Sequence, residues 1–325
     1  MPPLLLALTL ACSRATAPPP HIHVHDTAHT GDTGATSLPP YDGPLLLSET
    51  GLTTPGGALA DGVIPFSVRW PLWSDGADKE RWLWLPPAAT IDVSDVDAWR
   101  LPVGTKAWKT FRVGGVAIET RLMEKQADGW TAVSFLWRDD GADADAVPDG
   151  VPNARGTTHD VPDRETCWTC HRGAADGLLG VGALQLAGQP GMDTLAARLS
   201  APLPADLNPP GDGATRDALT WLHAQCGSCH NDVHPFSGRR PLRLTLPVGL
   251  TDPAEAPARR TGLGLVAGHP MAGAELVLVP GQPDASQLYV RANQRGRMGM
   301  PPVGSEVIDA AGLAALRAWI TDLSP

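Results

Sequence analysis

The chain has 325 residues, long enough for two domains with cores of ordinary size. A formal net charge of −10 with no basic stripe to offset it excludes nucleic acid as an expected partner. The 35 glycines and 33 prolines are about a fifth of the residues, against roughly 12% on average, which argues against a helical bundle or a doubly wound sheet and predicts many turns.

The chain opens MPPLLLALTLAC, an apolar run from Pro2 to Ala11 that is too short to span a bilayer but suits the core of a secretory signal. Thr9-Leu10-Ala11-Cys12 resembles a bacterial lipoprotein cleavage box, so lipid attachment at Cys12 is an expectation beside plain cleavage. Residues 13–40 carry almost no large apolar side chains and read as a Pro-, His- and Thr-rich tether. His21, His23, His25 and His29 could chelate Zn²⁺ or Cu²⁺, although nothing there fixes a geometry and a solvated linker is the plainer reading.

From Tyr41 to about Asp160 short runs alternate or are rich in Val, Trp, Phe and Thr: VIPFSVRW (63–70), RWLWL (81–85), TKAWKTFRV (105–113), VAIETRLM (116–123) and WTAVSFLW (130–137). Pro-Pro, Gly-Gly and Asp-Gly pairs separate them, which predicts a β-rich, sandwich-like domain over 41–160. Eight tryptophans lie here, and core packing is their commoner use over a sugar platform. Neither a triad nor a phosphate loop is visible in 41–158.

The chemistry lies further on, in Cys167-Trp-Thr-Cys170-His171 and Cys226-Gly-Ser-Cys229-His230. Cys-x-x-Cys-His is the attachment pattern of haem c. Two thiols three positions apart on one helical turn can each form a thioether with a haem vinyl group, and the tether sets the following His beneath the iron. The motifs use four of the five cysteines, and Cys12 accounts for the fifth. A zinc site made from paired hooks usually separates them by about 15–20 residues, whereas 55 positions separate His171 from Cys226. A thioredoxin-type redox pair needs a βαβ setting and no following His.

Residues 161–212 then form a first haem segment, too short to enclose a haem alone, and 213–325 a domain around the second. GATRDALTWLHAQ (213–225) reads as a helix with Ala218, Leu219 and Leu222 on its apolar face. Asp309 opens a closing helix whose face is Leu313, Leu316, Trp319 and Ile320. Met300, followed by Pro301-Pro302, is the expected sixth ligand of the second iron ahead of Met298, because a soft neutral sulfur favours Fe(II) and prolines stiffen the loop. For the first iron the candidates are His223, then His159 and Met192, or no sixth ligand at all. Arg291, Arg295 and Arg297 could pair with haem propionates or guide an acidic partner, solvated arginines being the default.

On these residues, 213–325 looks like a class I cytochrome c domain: helix, Cys-x-x-Cys-His, PGQPDASQLYVR, a Met-Pro-Pro loop and a closing WI helix. More widely, RWPLWSDGADKERWLWLP (69–86), GTKAWKTF (104–111), ETRLM (119–123) and both haem motifs resemble an uncharacterised bacterial family of dihaem c-type cytochromes. The resemblance covers about 41–325 and implies an exported electron carrier with two covalent haems c, iron ligands His171, His230 and Met300, and a non-haem N-terminal domain of unknown role. Its expected place is the periplasm or outer surface, with a donor dehydrogenase or an acceptor cytochrome or oxidase as redox partner. The competing expectation is a dihaem peroxidase-like enzyme in which the first iron keeps an open position.

Overall fold

Gly114-Gly115 and Asp128-Gly129 make the tight turns between the three longest strands, and the sheet that results is a meander. The computed structural model describes residues 38–235, 237–239 and 241–324. The signal segment, Cys12 and the four tether histidines lie outside them. Strands β1 (Val63–Pro65), β2 (Asp78–Trp84), β3 (Lys106–Val113), β4 (Val116–Gln126), β5 (Gly129–Trp137) and β6 (Ala144–Ala146) form one antiparallel sheet in sequence order. The sandwich is thereby corrected to a single six-stranded sheet. Each strand lies beside its neighbour in sequence, and loops and helices, not a second sheet, cover the faces.

Pairing register fixes what each face carries. Ile64, Leu83, Ala107, Met123 and Ala132 stand abreast, as do Trp82, Trp108, Leu122 and Val133 on the opposite side. The tryptophan face buries Trp108, Leu122, Val133 and Phe135 under Leu47 and Leu52. Trp108 Nε1 donates to Thr50 Oγ1 at 3.0 Å, which satisfies the one polar atom of that ring. The other face packs Ile64, Leu83 and Ala107 with Ile91, Trp99, Val181, Leu186 and Leu195.

The second half is helical and loop-rich: α1 (Arg164–His171), α2 (Ala183–Leu186), α3 (Met192–Ala196), α4 (Gly213–Cys226), α5 (Pro257–Gly262), a hairpin of β7 (Val266–Met271) and β8 (Ala274–Leu276), α6 (Gln287–Ala292) and α7 (Ala310–Asp322). The two apolar faces read from sequence meet in one core, where Ala218, Leu219 and Leu222 of α4 are buried with Leu313, Leu316, Trp319 and Ile320 of α7. Asp309 caps α7 by accepting from Gly312 N and also takes Trp221 Nε1 at 2.7 Å. Gly312 lies flat under that indole, where any Cβ would overlap it.

From residue 40 onward the chain is one compact unit. The strap between β1 and β2 joins its halves: Gln185 exchanges hydrogen bonds with both backbone groups of Trp70, and Gln225 takes Trp73 N at 2.7 Å while donating to Pro71 O. Among the described residues no helix is long and apolar enough to cross a membrane.

Candidate functional site

Helix α1 begins where Asp163 accepts from Thr166 N at 2.6 Å, and its single pair of turns carries Cys167, Cys170 and His171. His171 Nδ1 lies 2.7 Å from Gly177 O. A carbonyl only accepts, so Nδ1 carries the proton and Nε2 keeps its lone pair, the tautomer of an iron-ligating imidazole. Burial and the neighbouring Lys109 charge push this imidazole down to about 3, so it stays neutral at any ordinary pH.

Cys167 and His171 open onto a cavity of about 840 Å³ that lies over the inward face of the sheet. Phe66, Val68, Trp70, Trp99 and Leu178 supply apolar wall, and Arg81, Lys109 and Arg121 a basic one. Its size falls in the range of sites that take a cofactor. His223 on α4 lines the same cavity.

The second motif begins on the last residue of α4 and continues into the turn after it. Cys226 is packed beside the α4–α7 core, and burial followed by the Cys229 charge pushes its thiol up to about 12. The two motifs touch. The Cys170 thiol is held well above the usual range by a hydrogen bond with Cys229, with burial adding to it. Asn231 Nδ2 donates to Gly173 O at 2.9 Å and to Gly227 O at 2.6 Å, which clasps the turn after α1 to the second motif. Gly173 is pressed so closely on Ser228 O that a Cβ there would overlap it.

The three candidates for the first iron's sixth position are found in different settings. His159 is buried against the sheet with its Nε2 2.8 Å from Glu119 Oε1, and its ring lies against Phe111. Met192 starts α3 and packs against the apolar cluster of the inward face. His223 Nδ1 accepts from Leu246 N at 3.0 Å, which leaves the proton of the neutral ring on Nε2, and burial pushes it down to about 4.

Met300 follows α6, its backbone N–H bonded to Arg291 O at 2.9 Å and its carbonyl to Arg295 Nη1 at 3.3 Å. These bonds fix the loop rather than the direction of the sulfur. Arg291 and Arg295 brace the segment by donating to carbonyls of His269, Met298, Ala292, Gln294 and Val307, while Arg297 is exposed. Asp75 latches the far end of the loop, accepting from Ser305 Oγ at 2.9 Å, Glu306 N at 3.0 Å and Val307 N at 2.8 Å.

Sequence reading missed a charged group on the inward face. Arg81, Lys109 and Arg121 stand side by side on β2, β3 and β4. Glu119 is fully buried and bidentate to Arg121. Burial alone would raise its carboxyl, but Arg121 and the His159 hydrogen bond overcome that and hold it at about 2. The signal was available, because Lys109 on β3 and the pair Glu119 and Arg121 on β4 alternate with the inward-facing Ala107, Phe111 and Met123.

Among the described residues no three or more His, Cys, Asp and Glu side chains converge on one metal ion. Comparison with known proteins returned no matching family model, no curated protein and no solved structure.

Proposed function

We propose that the chain is an exported dihaem c-type cytochrome that moves electrons. Cys167 and Cys170 would tether one haem and Cys226 and Cys229 the other, with His171 and His230 as proximal ligands and Met300 as sixth ligand of the second iron. The haem supplies a one-electron iron couple, which His/Met ligation poises at higher potential. The chain's own part is to orient His171 through Gly177, keep that imidazole neutral and wall the cavity against water with apolar side chains.

The observation that carries this assignment is the His171 tautomer, with its Nε2 lone pair left over beside Cys167 at the edge of the cavity. The pairing of α4 with α7 adds support, because a class I cytochrome c domain is expected to close on its first and last helices. The motifs touch where Cys229 Sγ meets Thr169 O, which suits two neighbouring tethers, each serving its own iron. A reductive spectral titration of the matured full chain tests it: two reversible one-electron steps are expected, and absorbance that does not respond to potential would remove the proposal.

One observation favours the second reading, a peroxidase-like enzyme with an open position at the first iron. His159 commits Nε2 to Glu119, and His223 carries its proton on Nε2, so neither offers a ready lone pair through that nitrogen. Hydrogen peroxide with a reduced donor separates the two. Turnover would establish the enzyme, and none is expected of a carrier.

A further inference from the structure

Three cations stand abreast on the inward face of the sheet, Arg81 opposite Lys109 and Lys109 opposite Arg121. Like charges directly opposed on one face destabilise a sheet, so such a row calls for anions in front of it. Arg121 has its own in Glu119, at 2.5 Å. Among the described residues neither Arg81 nor Lys109 has a carboxylate within ion-pair distance: Arg81 makes one long bond to Lys79 O at 3.4 Å, and Lys109 lies over the Phe111 ring, with Glu119 acting on it only from beyond 4 Å.

The acids elsewhere on the cavity wall are already engaged. Asp176 takes Lys125 and Leu101 N, Asp97 takes Val248 N, Asp95 takes Asp97 N, Asp232 pairs with Arg243 and Glu255 with Arg260. The cavity therefore has two basic groups left over, both facing its interior.

What would balance them is a body with two carboxylates and a broad apolar surface, because Phe66, Val68, Trp70, Trp99 and Leu178 give the wall a large apolar share. Neighbouring strands lie about 4.8 Å apart, so the row reaches roughly 10 Å from Arg121 to Arg81, comparable with the width of a porphyrin. Cys167 and His171 line the same cavity as Arg81, Lys109 and Arg121, so a group tethered there would share it with the row.

We infer that Arg81 and Lys109 form the carboxylate seat for the two propionates of the haem tethered at Cys167 and Cys170. This rests on the dihaem assignment above. A small oxyanion shares the same chemistry, and the experiment separates the two sources.

The full chain is matured with haem and prepared as wild type, Lys109→Gln, Arg81→Gln, Lys109→Arg, and Arg138→Gln as a remote control. Covalent haem is counted, and the potentials of both haems are followed against pH. The expected result is two haems in every protein, with one potential moved to more negative values and its pH dependence altered in Lys109→Gln and Arg81→Gln. Lys109→Arg restores both properties, and Arg138→Gln changes neither. Two attached haems with unaltered potentials in both glutamine variants would overturn the seat while leaving the dihaem assignment standing. So would a nitrite or phosphate titration that perturbs the wild-type spectrum, fails in Lys109→Gln and leaves the potentials alone, because the seat would then belong to a free anion. Wild-type protein without covalent haem would remove the dihaem assignment itself, and the seat with it.

Discussion

The Cys229 thiol of the second Cys-x-x-Cys-His motif donates to the Thr169 carbonyl at 3.8 Å, next to Cys170 in the first motif. The contact is produced by the turn after α1, where Gly173 lies against Ser228 O and Asn231 bridges Gly173 O to Gly227 O. Two groups tethered at these sulfurs would have neighbouring edges, so the clasp sets how near they come.

Gly173→Ala tests the clasp. The added methyl has no room against Ser228 O, and overpacking of this kind costs about 1–3 kcal/mol. Urea unfolding is expected to show a free energy lower by that amount, read as a lower midpoint at unchanged slope, with Gly182→Ala, where a Cβ meets nothing within 4 Å, nearly unchanged. An unaltered Gly173→Ala midpoint would mean that the motifs do not pack this closely.

A second test concerns Glu119. Its carboxyl sits at about 2 in the folded chain against an ordinary 4.5, so the native state binds fewer protons than the unfolded chain between those values. The associated stability is complete above about 4.5 and is lost as pH falls through that window toward 2. Glu119→Gln removes the carboxylate from beside a half-buried guanidinium, a loss of about 3–5 kcal/mol for a buried pair. It should also flatten the acid limb of the stability curve. Equal acid sensitivity in both proteins would show that another carboxylate dominates there.

The latch from Asp75 to residues 305–307 bears on Met300. Asp75→Asn keeps a residue that tolerates the left-handed backbone at this position (φ 53°) but removes the charge that accepts from Glu306 N and Val307 N, worth about 1–2 kcal/mol. Met300→Ala is expected to move the higher haem potential to more negative values with covalent haem unchanged, and Asp75→Asn to do so to a smaller extent. Potentials unmoved in both variants would take Met300 out of the ligand set.

How far the chain could be read in advance follows from the range of the interactions. Strands β2 to β5 and the apolar faces of α4 and α7 were legible because alternation and helical spacing are local patterns. The run 63–70 ends as a strand at Pro65, and beyond it Ser67 and Arg69 bond to Pro190 O and Gln185 O, partners more than a hundred residues away. β6, three residues long, carries too little pattern to be recognised. The single sheet in place of a sandwich is likewise a matter of which strands pair. The six motif residues were visible because tether and ligand are adjacent in sequence. Glu119 with His159, and Thr169 with Cys229, are contacts between distant segments, and only the fold brings them together.

The central claim is that each Cys-x-x-Cys-His motif carries a covalent haem, and a haem count on the full chain tests it most directly. After expression with a cytochrome c maturation system and extraction with acidified acetone, a pyridine haemochrome assay is expected to give two haems per chain, falling to one when Cys167 and Cys170 are both changed to Ser. A colourless product, or one whose haem leaves entirely with the acetone, would contradict the account.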